Sequence, residues 1–297
     1  MKYLKLNNGL KMPMIGMGTW KAEPSLVGNA VKYALTQAGY THIDCAAIYR
    51  NEPEIGQVFK EVFKGKVKRE KIFITSKLWN TAHHPKDVEK ACKTTLKDLS
   101  LDYLDLYLMH WGVAFKPNAE LDFAPIPIQS TWQAMEKLVK KGLVKSIGVC
   151  NFTTMMLFDL LTYAKIKPAI NQIELHPYNT QEELVTFCKS KDIAVTAYSP
   201  LGNPGLTGRV GPNLLEELLI KKLAKKYKKS PAQILINWAI MRGTITIPKS
   251  LHPERIKENI DVFDFELTKE EQDQVSSLNR NFRVVNPGSW WNIPYFL

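Results

Sequence analysis

The chain has 297 residues, of which 45% are hydrophobic and 23% are charged, as in ordinary globular proteins. These values exclude intrinsic disorder, a collagen-like repeat and a small disulfide scaffold. The net charge of +11 is compatible with nucleic acid, an anionic membrane or a phosphate-bearing small molecule as partner, and equally with solubility alone. The composition therefore predicts a folded protein and leaves its partner open.

The opening segment, LKLNNGLKMP, predicts a β-hairpin with a two-residue turn at Asn8 and Gly9. Short apolar runs follow, and they alternate with amphipathic segments of helical length. The predicted strands cover residues 14–18, 42–44, 72–78, 104–109, 144–149, 169–172, 193–197 and 244–247. The predicted helices cover residues 24–38, 52–63, 85–99, 128–140, 154–163, 181–189, 215–227 and 231–241.

Eight βα units without an intervening linker predict an α/β fold of the (β/α)8 or TIM-barrel type. We expect one domain over residues 1–297, with the N-terminal hairpin plugging the bottom of the barrel. The competing interpretation is a doubly wound sheet, which requires a glycine-rich first turn. Gly16-Met17-Gly18 is only half of a GxGxxG motif, so the barrel is favoured.

The expected cellular location rests on the absence of targeting, membrane-spanning and cysteine motifs from the sequence. The N-terminus has no apolar stretch of signal-peptide length, and no run of about 18 apolar residues occurs. The cysteines are widely spaced and form neither a CxxC motif nor a metal-ligand spacing. We therefore expect a cytoplasmic protein with reduced thiols, no membrane segment and no metal. The four cysteines are Cys45, Cys92, Cys150 and Cys188.

Four chemically active side chains fall at the carboxyl ends of predicted strands, where TIM barrels carry their active sites. Asp44 ends the second strand, Tyr49 follows it, Lys77 lies near the end of the third, and His110 directly follows the fourth. Each alone has an ordinary structural explanation, such as a helix cap or a loop anchor. Their coincidence at one rim predicts proton transfer, because an ammonium near a tyrosine lowers the pKa of its hydroxyl.

The chain resembles the aldo-keto reductase superfamily along essentially its whole length, and is most similar to the aldose, aldehyde and xylose reductases. The resemblance rests on short sequence blocks in a fixed order. These blocks are GMGTW at 16–20, GYTHIDCA at 39–46, YRNE at 49–52, TSKLW at 75–79, LDYLDLYL at 101–108, HW at 110–111, KSIGV at 145–149, NF at 151–152, NQIE at 171–174, HPY at 176–178, YSPLG at 198–202, IPKS at 247–250 and PERI at 253–256 with Asn259.

The resemblance implies an NADP-dependent oxidoreductase that reduces aldehydes or open-chain aldoses to alcohols without a metal. It implies a catalytic tetrad in which Tyr49 is the general acid, Asp44 and Lys77 tune it, and His110 orients the carbonyl. Donors aimed at the carbonyl oxygen would stabilise the charge that develops there during hydride transfer. The remaining polar blocks would bind NADPH.

Within those blocks, the resemblance implies that Asn151 and Gln172 hold the carboxamide of the nicotinamide and that Tyr198 stacks on its ring. Ser199, Leu201 and Gly202 would line the pyrophosphate loop. The 2′-phosphate would lie on Lys249, Ser250 and Arg255, with Asn259 on the adenine, and cationic side chains are what a phosphate requires. Further expected cofactor-binding residues are Thr19, Trp20, Asp44, Cys150, Leu251, His252 and Glu258.

The substrate pocket is implied by the same match. Aromatic and apolar walls around one polar point describe an aldehyde site. The loop at 112–127 and the aromatic tail at 283–297 would shape its outer part at the active-site rim. Two positions depart from the usual pattern: Cys150 stands where Ser is common, and His252 where Thr or Ser is common. The expected substrate-binding residues are Trp20, Ile48, Tyr49, Trp79, His110 and Trp111.

Two other functions stay open at this point. A non-catalytic NADP(H)-binding protein on the same fold is one, and a nucleic-acid binder using the positive charge is the other. The lysine run at 221–229 has the spacing of an outer, solvated helix face, and the residues expected to point inward are Leu218, Leu219, Leu223 and Ala224. We therefore expect a small carbonyl substrate as partner, no nucleic acid, no membrane, and a monomer.

Overall fold

A computed structural model describes residues 1–22, 25–117, 119–203 and 212–296. The central strands are buried almost throughout, because one face of each points into a barrel and the other packs under helices. Of the segments predicted above, the helix start at residue 24, the loop residue 118 and the last residue of the tail lie outside the described residues. The strands are β1 Tyr3–Lys5, β2 Lys11–Pro13, β3 Met17–Gly18, β4 His42–Asp44, β5 Phe73–Leu78, β6 Leu106–Met109, β7 Phe115–Lys116, β8 Ala119–Phe123, β9 Ile147–Cys150, β10 Ile170–Glu174, β11 Ala194–Tyr198 and β12 Ile245–Thr246.

The helices carry the start and stop signals that their sequences contain. Ser230 caps a helix whose first residue is Pro231, and it forms a reciprocal capping box with Gln233. The first helix continues as a π-helical turn over Ala34–Ala38 and ends at Gly39, where φ is +80°. The α-helices are α1 Val27–Tyr33, α2 Glu52–Val62, α3 Pro85–Asp98, α4 Ile128–Lys140, α5 Thr154–Tyr163, α6 Glu182–Ser190, α7 Leu218–Tyr227, α8 Pro231–Met241, α9 Pro253–Ile260 and α10 Lys269–Ser276.

Eight parallel strands pair in the order β3, β4, β5, β6, β9, β10, β11 and β12. The ends of this sheet meet through a parallel bridge between Ile15 and Thr246. The Gly16 N–H donates to the Thr246 carbonyl at 2.9 Å, and the Thr246 N–H donates to the Met14 carbonyl at 2.9 Å. The sheet therefore closes on itself, and the predicted (β/α)8 barrel is confirmed.

The hairpin β1–β2 closes the bottom of the barrel. Leu6 and Met12 are buried in one apolar cluster with Phe73, Leu106 and Ile170 from the inner face of the sheet. The connection between the two strands spans residues 6–10 rather than the predicted two-residue turn. Gly9 adopts φ +87° and its N–H donates to the Leu6 carbonyl at 2.9 Å, which makes the turn wider than expected.

Several predicted boundaries differ from the structure, and the start of the helix at 215–227 is one of them. A 3-10 turn over Leu214–Glu216 precedes α7, and Leu218 is 82% exposed. The expectation that Leu218 points inward was therefore wrong, whereas Leu223 is buried as predicted. The two-stranded ribbon β7–β8 and the polar helices α9 and α10 were not predicted at all.

Candidate active site

A cavity of about 880 Å³ opens at the carboxyl ends of the barrel strands. Its floor is formed by residues at or just after the ends of barrel strands: Asp44 ends β4, Tyr49 follows β4 and His110 follows β6. From this floor it extends past Tyr198 to the start of α9, where Arg255 lines its outer end. One continuous space thus connects three of the four predicted catalytic residues with the predicted phosphate site.

Beneath the floor lies a buried ion pair. The side chain of Lys77 has no exposed surface, and its Nζ lies 2.5 Å from Oδ1 of Asp44. Lys77 also donates to the Cys45 carbonyl at 2.8 Å, and Gln172 Nε2 donates to the second carboxylate oxygen of Asp44 at 2.7 Å. These hydrogen bonds satisfy charges that would otherwise be very costly to bury. The pair is therefore fixed in position.

Tyr49 is the group that this ion pair presents to the cavity. Its hydroxyl lies 3.4 Å from Lys77 Nζ, and the ammonium also lies 5.0 Å from the centre of its ring. Burial is the largest single influence and would lower the pKa of Lys77, but Asp44 and the other neighbouring groups together outweigh it, so the pKa of Lys77 is raised. Lys77 is consequently a permanent cation beside the tyrosine hydroxyl.

The pKa of the Tyr49 hydroxyl is raised, mainly because the group is buried. Lys77 acts in the opposite direction, as the sequence predicted, but it only partly offsets the burial. The expectation of a net lowering was therefore wrong in this structure. A raised pKa keeps the hydroxyl protonated at neutral pH, and the nearby ammonium makes loss of that proton less costly.

His110 faces Tyr49 across the floor, with the two ring centres 6.0 Å apart. Trp79 contacts the same imidazole edge-on at 5.2 Å. Burial, reinforced by Lys77 and His83, lowers the pKa of His110 well below its usual value. The imidazole is therefore neutral and has one N–H with which to orient an acceptor oxygen.

The middle of the cavity carries two side-chain amides and a tyrosine ring. Asn151 follows β9 with φ +64°, and its Oδ1 accepts a hydrogen bond from the Tyr198 hydroxyl at 2.7 Å. Its Nδ2 lies 3.1 Å from the His110 carbonyl and 3.2 Å from the sulfur of Cys150. Gln172 lies one strand away, and burial raises the pKa of the Cys150 thiol, which keeps it neutral. The amides are thus held in fixed orientations beside the floor.

The outer end of the cavity is polar and open. Lys249 is exposed, and its Nζ donates to the Lys21 carbonyl at 3.2 Å. Arg255 is also exposed, whereas Asn259 is buried on the inner side of α9. Ser250 is buried, and its hydroxyl oxygen accepts the His252 N–H at 3.1 Å. Two exposed cations and a hydrogen-bonded turn therefore lie near the start of α9.

The structure places nearly all the residues predicted for the site along this cavity. Lys77 is the first exception, because it lies beneath Tyr49 and acts through it. Gly202 is the second: it is buried against Leu214 and lies outside the lining within the described part of the chain. The lining residues are Thr19, Trp20, Asp44, Ile48, Tyr49, Trp79, His110, Trp111, Cys150, Asn151, Gln172, Tyr198, Ser199, Leu201, Lys249, Ser250, Leu251, His252, Arg255, Glu258 and Asn259.

Other lining residues were not foreseen. Lys221 pairs with Glu216 and is half-exposed, as predicted for the solvated face of its helix, but it also lines the cavity, which its spacing did not indicate. Lys21 lies directly after the predicted Trp20, so its position could have been inferred. Val285 could not, because it reaches the cavity only through the path of the tail.

Aromatic side chains enclose the substrate end of the cavity. Trp291 of the tail packs edge-on against Trp111 and against Phe115, with ring centres 5.0 Å apart in both cases. Trp290 also lines the cavity and remains 46% exposed. At the end of the tail, the Tyr295 hydroxyl accepts the Gly112 N–H at 2.8 Å. The tail therefore covers the catalytic end and leaves one tryptophan free to contact a ligand.

Comparison with known proteins agrees with this architecture. The model of the aldo/keto reductase family matches residues 14–280. Aldo-keto reductase family 1 member A1 of Gallus gallus is 54% identical to the chain, over 96% of the chain and 91% of that protein. The protein of the same name from Homo sapiens is 52% identical, over 95% and 90% respectively. The chain belongs to the aldo/keto reductase family.

Solved structures show the same fold. The aldose reductase of Schistosoma japonicum superposes with a TM-score of 0.93 at 43% identity, covering 99% of this chain and 98% of that one. An aldo-keto reductase of Bombyx mori in complex with NADP has the same TM-score at 42% identity and the same coverage. Within the described residues, no helix is long and apolar enough to cross a membrane, and no group of three or more potential metal-ligating His, Cys, Asp and Glu residues occurs.

Proposed function

We propose that this protein reduces aldehydes and open-chain aldoses to alcohols with NADPH, and that Tyr49 is the general acid. Family membership makes the chain an NADP-dependent oxidoreductase that acts on aldehydes. The observation that carries the finer proposal is the position of the Tyr49 hydroxyl. It lies on the cavity floor, 3.4 Å from the ammonium of a lysine that is itself paired with a buried carboxylate.

The residues along the cavity fit NADPH as a ligand. Asn151 and Gln172 offer amide groups of the kind that pair with a carboxamide, and Tyr198 offers an aromatic face beside them. At the other end, Lys249 and Arg255 supply the cationic donors that a ribose 2′-phosphate requires. When bound, NADPH supplies the hydride that reduces the substrate. The 2′-phosphate contacts are the basis for proposing NADPH over NADH.

The floor of the cavity is arranged to bind and protonate a carbonyl oxygen. Tyr49 and the neutral imidazole of His110 both donate toward the same point, which orients the carbonyl and stabilises the negative charge that develops on its oxygen. Tyr49 then transfers its phenolic proton to that oxygen. Lys77 stabilises the resulting tyrosinate electrostatically, and Asp44 keeps Lys77 charged and in place.

The test is the rate of NADPH oxidation with a panel of aldehydes, measured for the wild type and for Tyr49→Phe. We expect the variant to lose kcat by about 10²–10⁴-fold, the usual contribution of a general acid, while NADPH binding stays unchanged. Tyr107→Phe is a matched control, because Tyr107 is a buried tyrosine of β6 outside the cavity lining. Near-normal turnover by Tyr49→Phe would refute the assignment.

The same assay distinguishes the alternative of a non-catalytic NADP(H)-binding protein, which would bind NADPH and oxidise none of it with any aldehyde. We further propose that the protein is a single-domain, cytoplasmic monomer that acts on small carbonyl compounds and has neither nucleic acid nor membrane as a partner. The four cysteines are free and buried, which supports a reducing compartment.

A further inference from the structure

A second buried carboxylate, that of Glu174, lies at the carboxyl end of β10. Its side chain has no exposed surface, and no lysine or arginine forms an ion pair with it among the described residues. Instead, its two oxygens accept the N–H groups of Val284 and Val285, each at 2.7 Å. Nε2 of His176 lies 2.8 Å from the first of these oxygens. Most of the hydrogen bonds that this fully buried carboxylate accepts thus come from the backbone of the tail.

The tail that Glu174 holds forms the outer wall of the substrate end. Val285 lines the cavity directly, and Trp290 and Trp291 follow within the next six residues. Tyr295 anchors the far end of this segment to Gly112. The segment from 284 to 296 therefore has one polar anchor at each end and two tryptophans between them.

Glu174 also belongs to the strand that carries the floor of the site. Gln172, two residues earlier on the same face of β10, donates to Asp44, and Glu174 itself pairs in register with Tyr198 of β11. The tail could move relative to Tyr49 only if the hydrogen bonds from Val284 and Val285 to Glu174 broke. Glu174 thus fixes the distance between the tail and the reacting centre.

The chemistry of this wall indicates the substrates that it favours. Residues 284–296 contain no charged side chain, and Trp290 presents a large, half-exposed aromatic surface. A bulky uncharged aldehyde gains contact area on such a wall, whereas a short aldehyde does not reach it. We propose, on the basis of the function proposed above, that Glu174 is a positioning residue that holds the tail and thereby sets the preference for bulky uncharged aldehydes.

Glu174→Gln tests this role with little change in shape. The amide replaces one acceptor oxygen with an NH2 group, which then faces a backbone N–H of the tail and cannot accept from it. We expect KM for 2-naphthaldehyde to rise by about tenfold, the effect of losing one buried hydrogen bond, with kcat nearly unchanged. The ratio of kcat/KM for 2-naphthaldehyde to that for propanal should fall by a similar factor.

The chain provides a matched control in Glu136 of α4. Its buried carboxylate also accepts two backbone N–H groups, those of Lys165 and Ile166, at 2.7 and 2.8 Å. Glu136 lies outside the cavity lining, so Glu136→Gln should leave the substrate ratio unchanged while removing a buried carboxylate of the same kind. Glu174→Asp, which keeps the charge, should restore part of the preference.

Trp290→Ala keeps the proposal testable if Glu174→Gln does not fold, because Trp290 is exposed enough to be replaced safely. It should lower the same substrate ratio, and an unchanged ratio would overturn the proposal. A ratio that Glu174→Gln and Glu136→Gln change equally would also overturn it, while leaving the proposed function intact. A wild type that oxidises no NADPH with either aldehyde would overturn both.

Discussion

The two ends of the cavity use charge in opposite ways. At the floor, Lys77 and Asp44 are buried, lie 2.5 Å apart, and have their remaining polar atoms paired with Cys45 and Gln172. At the outer end, Lys249 and Arg255 are exposed to solvent. In the dry interior each charge interacts strongly with its neighbours, whereas water and salt screen the outer cations.

This difference separates catalysis from binding. A buried ion pair has already lost its water when the substrate arrives, so its electrostatic effect on Tyr49 requires no rearrangement during the reaction. The exposed cations become ordered when a phosphate binds, and that ordering costs side-chain entropy. We therefore expect changes at the floor to affect turnover and folding, and changes at the outer end to affect affinity and its dependence on salt.

The largest effect is expected from Lys77→Met, which removes one partner of the buried pair. Asp44 would remain as an uncompensated buried carboxylate, so the free energy of unfolding should fall by about 3–5 kcal/mol. The kcat for aldehydes should fall as well, because Tyr49 loses its neighbouring cation. Urea denaturation and steady-state kinetics measure the two effects, and Lys97→Met on the exposed face of α3 is the control.

The double variant Lys77→Met with Asp44→Asn sharpens this result, because it removes both charges. If desolvation of an unpaired charge is the cause, the double variant should recover part of the lost stability without recovering kcat. Equal instability of the single and double variants would contradict this explanation.

A second effect is expected at Glu52, a buried carboxyl that lies on the other side of β5 from the pair. It accepts the Ser76 hydroxyl at 2.5 Å, and burial raises its pKa to about 7, with hydrogen bonds from Ser76 and Thr95 opposing the rise and Asp98 adding to it. The folded state therefore holds this proton up to about pH 7, whereas the unfolded state releases it near pH 4.5. Stability should fall as pH rises across this window.

Glu52→Gln removes the titrating group and should flatten this pH dependence. Relative to the wild type, the variant should gain up to about 3 kcal/mol between pH 4 and pH 8, at 1.36 kcal/mol for each pKa unit. Urea denaturation across this pH range measures the gain, and Glu183→Gln on the exposed face of α6 is the control. A difference from the wild type that does not vary with pH would show that Glu52 is not the titrating group.

The smallest effect is expected at the outer end. Lys249→Ala or Arg255→Ala should raise the KM for NADPH by about tenfold, as for the loss of one charged hydrogen bond, and should leave the KM for NADH almost unchanged. The effect should shrink as salt concentration increases, because the replaced cations are exposed. Steady-state kinetics with both cofactors at low and high salt test this, and equal losses with NADH would exclude a 2′-phosphate contact.

Much of the fold could be predicted because its pattern is local. The helices at 128–140, 154–163 and 231–241 and the strand at 42–44 were predicted to the residue. The ribbon β7–β8 and the helices α9 and α10 were missed, since all of them are short and each of the two helices buries only two side chains. Leu218 was misplaced because α7 begins only at this residue, after a separate 3-10 turn over Leu214–Glu216.

The candidate site could be located from strand ends, because parallel strands bring their carboxyl ends to one rim. The net pKa of Tyr49 could not, since it depends on how far burial outweighs one nearby cation. The anchoring of the tail by Glu174 was equally hidden, because Val284 and Val285 lie more than a hundred residues further along the chain.

The plug at the bottom of the barrel has a consequence for the order of folding. Asn7 donates to the Pro168 and Asp192 carbonyls, and Asn8 donates to the Ser146 hydroxyl, across separations of 138 to 185 residues. The hairpin precedes all of these partners in the chain, and loop closure over such lengths is slow. The ribosome therefore synthesises the hairpin long before the barrel segments that it contacts. We expect the hairpin to be among the last elements to dock during folding.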